Sequence, residues 1–335
     1  MMQRPRGLSC ADLLAVMVII IILLGCSTAV QSTRSSAAVT LDQAMIRYVM
    51  AGTLLSSADF EDRFISPDLI ARKPVGFGKT KRYIPGKGER VTDYNTTESL
   101  VSTLIMNMYL EPGDFISPVD VNPHLKSKND DGPGYDFDCW DPVTAAERVG
   151  FYPHGFWDTN IQCNLSPRGR GRDNTDHNSW ANSLLCGHRL ERWNANETVD
   201  RIAWSTRGTR MGAMAGQSEY DDSPAIAMLG TGNKWKGHMC RHDGSVSVET
   251  SFNPVLHYSP TQGRMVDDNA FDAEFDDEYV DPGSGRPQQL GASDNFLTYS
   301  NNRGDTGTYS AIFSGNRIWD DTSISRCTWD TDGDW

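Results

Sequence analysis

Residues 4–30 read RPRGLSCADLLAVMVIIIILLGCSTAV. Arg4 and Arg6 precede a run, Leu13 to Cys26, without a charged or strongly polar residue, and weaker apolar character extends from Leu8 to Val30. At about 1.5 Å per residue a helix needs roughly 20 apolar residues to cross a bilayer core, so the run fits a spanning helix with weak ends or the hydrophobic part of a signal sequence. The basic start favours a cytoplasmic N-terminus, and the remainder of the chain is therefore expected to be exported.

Asp12 is the odd residue in this stretch. An ionised side chain in lipid costs several kcal/mol unless it is paired. Cleavage between Gly7 and Leu8 makes Asp12 the fifth residue of the mature chain, beside a new positively charged amine. These residues resemble the type IV prepilin signature: a short basic leader ending in glycine, an acidic fifth residue and an uninterrupted apolar helix. The resemblance implies cutting after Gly7 by a prepilin peptidase, methylation of the new amine, and pairing of Asp12 with the amine of a neighbouring pilin-like subunit. Leu8 stands where the family usually has phenylalanine, and Asp12 where it usually has glutamate. Two other outcomes stay open on the residues alone. Leu23-Leu24-Gly25-Cys26 resembles a bacterial lipobox, which implies lipidation of Cys26 and loss of everything before it, and an ordinary signal peptide with a stray acid fits as well.

Downstream, Leu41, Met45 and Val49 fall at helical spacing and predict an amphipathic stem, with Thr40 and Gln43 able to form a capping box where the stem breaks and restarts. The stem is expected to end near Gly52, which divides the chain into a leader (1–7), a membrane helix and stem (8–52) and an exported head (53–335). Ala29-Val30-Gln31 followed by Arg34 is similar to planctomycete-type prepilin-like proteins.

The whole chain has 335 residues and a net charge of -13, which argues against a nucleic-acid backbone as partner. Thirty glycines, sixteen prolines and many Asn and Asp residues punctuate short segments, as in a loop-rich, β-containing head. Five cysteines, Cys139, Cys163, Cys186, Cys240 and Cys327, follow the membrane segment. An oxidising location allows one or two disulfides and leaves a thiol over, and no CxxC marks a zinc knuckle or redox pair. One short echo recurs: Phe64-Ile65-Ser66-Pro67 and Phe115-Ile116-Ser117-Pro118.

A helix is predicted over Thr97 to Leu110, with Leu100, Leu104 and Met108 on one face, Thr96 or Thr97 as cap and Pro112-Gly113 as stop. Before it, Lys79 to Lys87 and Arg90 form a basic, turn-rich surface. Between Asp130 and Trp204, Trp140, Trp157, Trp180 and Trp193 either stack on sugar rings or plug a loop-rich core, the core being preferred. His177, His188, Asp173 and Asp176 lie in the same region without diagnostic spacing.

The sharpest local signal of the head is Trp235 to Val248, in which Asp243-Gly244 between alternating segments predicts a two-residue hairpin turn. With His242 opposite Ser245, Met239 faces Val248, and His238, Cys240 and His242 share the other strand face with Ser245, Ser247 and Glu249. Three such side chains at alternate positions are candidate ligands for zinc or copper, against the plainer alternative of a polar sheet face. The hairpin resembles the C-terminal motif of the same prepilin-like proteins, a histidine followed after nine residues by Asp-Gly, except that Asn233 takes the histidine position. Later, Asp267 to Asp281 and Asp330 to Asp334 are carboxylate-rich; a solvated acidic surface is the preferred reading and no cofactor is expected, calcium being the alternative although neither stretch has the full pattern of a calcium loop. Asp294 to Tyr299 and Tyr309 to Phe313 are expected as closing strands.

The expected architecture is α+β: a long N-terminal membrane-anchoring helix with a loop-rich head built on an antiparallel sheet. The resemblance implies a structural pilin-like or pseudopilin subunit of the inner membrane, serving a pilus-like or secretion-related assembly. The alternative is a cell-envelope lipoprotein anchored at Cys26 whose head binds glycan. No catalytic constellation stands out; a retaining glycosidase needs two carboxylates about 5 Å apart, and the many acids here nominate no pair.

Overall fold

The computed structural model describes residues 36–76, 83–139, 156–163, 175–185, 187–197, 201–209, 212–229, 234–259, 264–272, 295, 297–301 and 326–328. Gly7, Leu8, Asp12 and Cys26 lie outside this set, as do Trp140, Asp173, Tyr309 to Phe313 and Asp330 to Asp334. Among the described residues no helix is long and apolar enough to cross a membrane.

Helix α1 is described over 36–57. It does not break at Thr40, whose hydroxyl donates to the Ser36 carbonyl at 3.0 Å, one turn back, instead of capping a new start. Nor does it stop at Gly52. That glycine is buried inside the helix, and a Cβ there would lie 2.6 Å from Leu110 Cγ and 2.9 Å from the Tyr109 carbonyl oxygen. The residue marks a close approach between helix and loop, which in sequence looks the same as a stop. The buried stripe of α1 is Asp42, Ile46, Val49, Met50 and Thr53, so that Leu41, expected inside, faces solvent.

Among the described residues five more short helices follow: α2 (Pro67–Ile70), α3 (Thr97–Met106), α4 (Gly187–Glu191), α5 (Ser218–Asp221) and α6 (Ala225–Leu229). In α3 the Ser99 N–H donates to Thr96 Oγ1 at 3.2 Å, the expected cap, and Leu100 and Leu104 are buried. The helix ends before Met108, which is 74% exposed with φ of 60° and takes no part in the apolar face. Pro112–Phe115 then forms a 3-10 turn in which the Glu111 N–H donates to the Asp114 carboxylate at 2.7 Å.

The strands are β1 (Trp180–Ser183), β2 (Ile202–Thr206), β3 (Gly237–Arg241), β4 (Val246–Glu249), β5 (Val255–Ser259), β6 (Arg264–Asp268), β7 (Leu297–Asn301) and β8 (Arg326–Thr328). Six of them form one antiparallel sheet in the order β4-β3-β2-β1-β7-β8; β5 and β6 make a separate hairpin. The first four strands are thus a meander, and β7 returns to lie beside β1. Every residue of β1 and β2 is buried, because both faces of the sheet centre are covered.

The larger core among the described residues joins Ile46, Val49 and Met50 of α1 and Leu100, Val101, Leu104 and Ile105 of α3 to Trp180, Ala203, Trp204 and Met239 of the sheet, and a smaller cluster gathers Ala71, Phe156 and Trp157. Burying each large apolar side chain contributes about 1.5–3 kcal/mol. Trp157, Trp180 and Trp193 are all buried and belong to the interior, which removes three of the four tryptophans considered as a sugar platform.

The β3–β4 hairpin forms where expected with a different register. His238 pairs with Val248, Met239 with Ser247 and Cys240 with Val246. The Gly244 N–H donates to the Arg241 carbonyl at 2.9 Å, and Gly244 has φ of 81°, so the connection is the three residues 242–244 with glycine in the left-handed position. One extra turn residue exchanges the strand faces, and His242 leaves the strand altogether.

Candidate functional site

Asp42 occupies a core position of α1, and a carboxylate there is tolerated only if its oxygens are hydrogen-bonded. Both are. The Ser117 hydroxyl donates to Oδ1, and His238 Nδ1 donates to Oδ2 at 2.5 Å. All three residues are buried, Asp42 and His238 completely. The Ser117 N–H donates to Ser179 Oγ at 2.8 Å, and the His238 N–H donates to Thr206 Oγ1 at 2.9 Å, so the residue just before β1 and the last residue of β2 hold the two donors in place.

A buried ion pair adjoins this hydrogen-bonded group. Arg207, just after β2, donates through an Nη to Asp120 Oδ1, and both side chains are 1% exposed. Burial pushes the Asp120 carboxyl above the usual range; Arg207 opposes this rise, and the nearby charge of Asp42 adds to it. Two carboxylates, one guanidinium and one imidazole therefore meet where α1 crosses the sheet.

The FISP echo acquires a physical meaning here. Phe64 and Phe115 are each fully buried, and the serine two residues later donates to a buried aspartate, Ser66 to Asp68 at 2.6 Å and Ser117 to Asp42. In both places a phenylalanine anchors the loop and a hydroxyl helps to compensate an interior carboxylate. Arg90 completes the first of these by donating to Asp68.

Chemically, the Asp42 junction holds parts together. A hydrolytic triad needs the serine hydroxyl on the imidazole nitrogen opposite the carboxylate. Here Ser117 bonds the aspartate, and His238 Nε2 has no hydrogen-bond partner and is shut away from solvent.

The proposed ligand set His238, Cys240 and His242 is not assembled. Cys240 is buried, and burial pushes its thiol up to about 12. His242 lies in the turn, with its ring edge-on to Phe64 at 5.2 Å and Trp193 at 5.5 Å and Nδ1 3.3 Å from the Asn194 carbonyl oxygen. Burial lowers the pKa of His242 to about 4. Among the described residues no group of three His, Cys, Asp or Glu side chains is arranged to hold a metal ion.

His177 is a structural histidine of the same kind. Its Nδ1 accepts from the Gln162 N–H at 2.9 Å, Nε2 lies 3.2 Å from Asp131 Oδ2, and burial lowers its pKa to about 4. Asp176 is buried and accepts from Asn122 Nδ2 at 3.2 Å. His188 falls in α4. Of the acidic run, Asp268 is buried and accepts from the N–H and Nδ2 of Asn295 at 3.0 and 2.7 Å; the part from 273 to 281 lies outside the described residues.

Asp42, Asp120 and Arg207 carry no motif and were not expected as a group. The one available signal was a carboxylate four residues before Ile46 and seven before Val49, in register with the buried stripe. No family model, curated protein or solved structure matches the chain.

Proposed function

We propose that the chain is a prepilin-like, pseudopilin-type structural subunit. In this reading it is cut between Gly7 and Leu8, anchored in the inner membrane by the apolar segment, and joined through α1 to an exported head in a pilus-like or secretion-related assembly. The observation that carries the reading is the construction of α1. The helix that follows the apolar segment in sequence is part of the head's core and is fastened to β3 through Asp42 and His238. A flexible tether, which a lipid anchor at Cys26 calls for, would have no use for a buried, hydrogen-bonded carboxylate at Asp42, only sixteen residues further on. In the same reading Asp12 neutralises the N-terminal amine of a neighbouring subunit, because that charge is costly to bury alone.

The test is the N-terminal sequence and intact mass of the protein extracted from its native membranes. A chain beginning at Leu8, with or without a methyl group, supports the reading, and Asp12→Ala should then leave processing intact while lowering assembly. A diacylated terminus at Cys26 overturns it.

A further inference from the structure

The outward face of α1 carries a pattern that the fold does not use. Ala37, Leu41, Ala44, Tyr48, Ala51 and Leu55 are spaced alternately by four and three residues, and all six are exposed. Leu41 is 52%, Tyr48 55% and Leu55 62% exposed, although each exposes apolar surface that water disfavours. This is the spacing of a helix-pairing seam, with alanine at one of the two inward positions in every heptad and a large residue at the other. Among the other exposed positions of α1 the one charge is Arg47; no carboxylate faces out, on a chain whose net charge is -13.

We propose that this face is a pairing seam for the same helix of a second copy of the chain. Three observations select that occupant. The pattern is self-complementary: two copies in register stack Leu41 on Leu41, Tyr48 on Tyr48 and Leu55 on Leu55, and the alanine layers between them let the backbones approach. The absence of outward carboxylates makes α1 a place where two acidic chains meet without local repulsion. The apolar segment precedes α1 in sequence, so two copies inserted in one membrane present their helices in parallel and at high effective concentration. This last point rests on the membrane-anchored reading above. The result is a symmetric pair in which each α1 is covered by its own head on one side and by its twin on the other.

The experiment uses the full chain in detergent micelles, with Ala44→Cys and Ala51→Cys as separate variants under mild oxidation. The wild-type chain, with its own seven cysteines, sets the background, and Lys126→Cys, at an exposed position that is not part of α1, is the control. Each seam variant is expected to give a covalent dimer well above both references, and adding Tyr48→Glu should weaken the pairing on the order of a hundredfold, since each copy then places a charge in the central layer. Absence of a same-residue dimer in variants with the denaturation midpoint of the wild type would overturn the proposal. A dimer formed only when Ala44→Cys and Ala51→Cys chains are mixed would overturn it too, because it shows a staggered contact. N-terminal sequencing of the same samples separates the two hypotheses: a chain beginning at Leu8 without same-residue dimers overturns the seam alone, and dimers from a chain lipidated at Cys26 overturn the prepilin reading alone.

Discussion

His238 on β3 and Asp42 on α1 are 196 residues apart in sequence and share a hydrogen bond of 2.5 Å in an interior where neither side chain meets solvent. Removing one partner strands the other. Asp42→Ala is therefore expected to cost about 3–5 kcal/mol, whereas the double replacement Asp42→Leu with His238→Phe, which removes both polar groups, costs less than the single change. Denaturant unfolding of the full chain checks this; a single variant within about 1 kcal/mol of wild type would show that the pair is not a fastening.

Gly52→Ala reverses the usual sign of a glycine replacement within a helix. Alanine ordinarily stabilises a helix interior by roughly 0.5–1 kcal/mol. Here the new methyl meets Leu110 Cγ at 2.6 Å and the Tyr109 carbonyl oxygen at 2.9 Å. The expected result is a loss of about 1–3 kcal/mol, seen as a lower thermal midpoint. Any gain in midpoint would mean that the Tyr109–Leu110 loop moves away freely.

His177 and His242 are held neutral by burial, with pKa values lowered to about 4. The unfolded chain takes up protons on these rings near pH 6.5 and the folded chain does not, so their stabilising contribution is complete above pH 6.5 and is lost as pH falls toward 4. Stability is expected to decline on acidification from pH 7 to 5. His242→Gln should flatten that decline relative to wild type; identical slopes for the two proteins would remove His242 as a contributor.

Gly244→Ala tests the three-residue turn. With φ of 81° the glycine sits where an L side chain costs roughly 1–2 kcal/mol, and the added Cβ also comes 3.3 Å from Leu54 Cδ1 of α1. Gly244→Asn should recover part of the loss, because asparagine tolerates the left-handed region. Equal stability of both variants and wild type, measured by urea midpoints, would point to a two-residue turn instead.

How far the sequence could be followed depended on the distance between interacting residues. The Thr96 cap and the Asp243-Gly244 turn rest on neighbours within a few positions and appear where expected, whereas the helix expected to run to Leu110 and stop at Pro112 already ends at Met106, and Pro112 opens a 3-10 turn instead. The hairpin register was out by one because two- and three-residue turns ending in Asp-Gly look alike, and only the Gly244 conformation separates them. Burial of Trp157, Trp180 and Trp193 was favoured from their setting in a loop-rich region. The orientation of α1 was not legible. Leu41 reads as core and Asp42 as surface by polarity, and the reversal is enforced by a histidine nearly two hundred residues later.

The long separation of Asp42 from His238 also sets an order of events. As the chain is made from its N-terminus, α1 emerges early, while Ser117, Arg207 and finally His238 follow over most of the remaining synthesis. Until β3 arrives, the helix carries a carboxylate on its apolar stripe that favours solvent over any provisional burial. Early burial of α1 against the first strands is disfavoured, and closing this long loop is expected to come late in folding. The same carboxylate that fastens the finished molecule is thus expected to act earlier as a timer, leaving the helix uncommitted until the strand that completes its bed has been delivered.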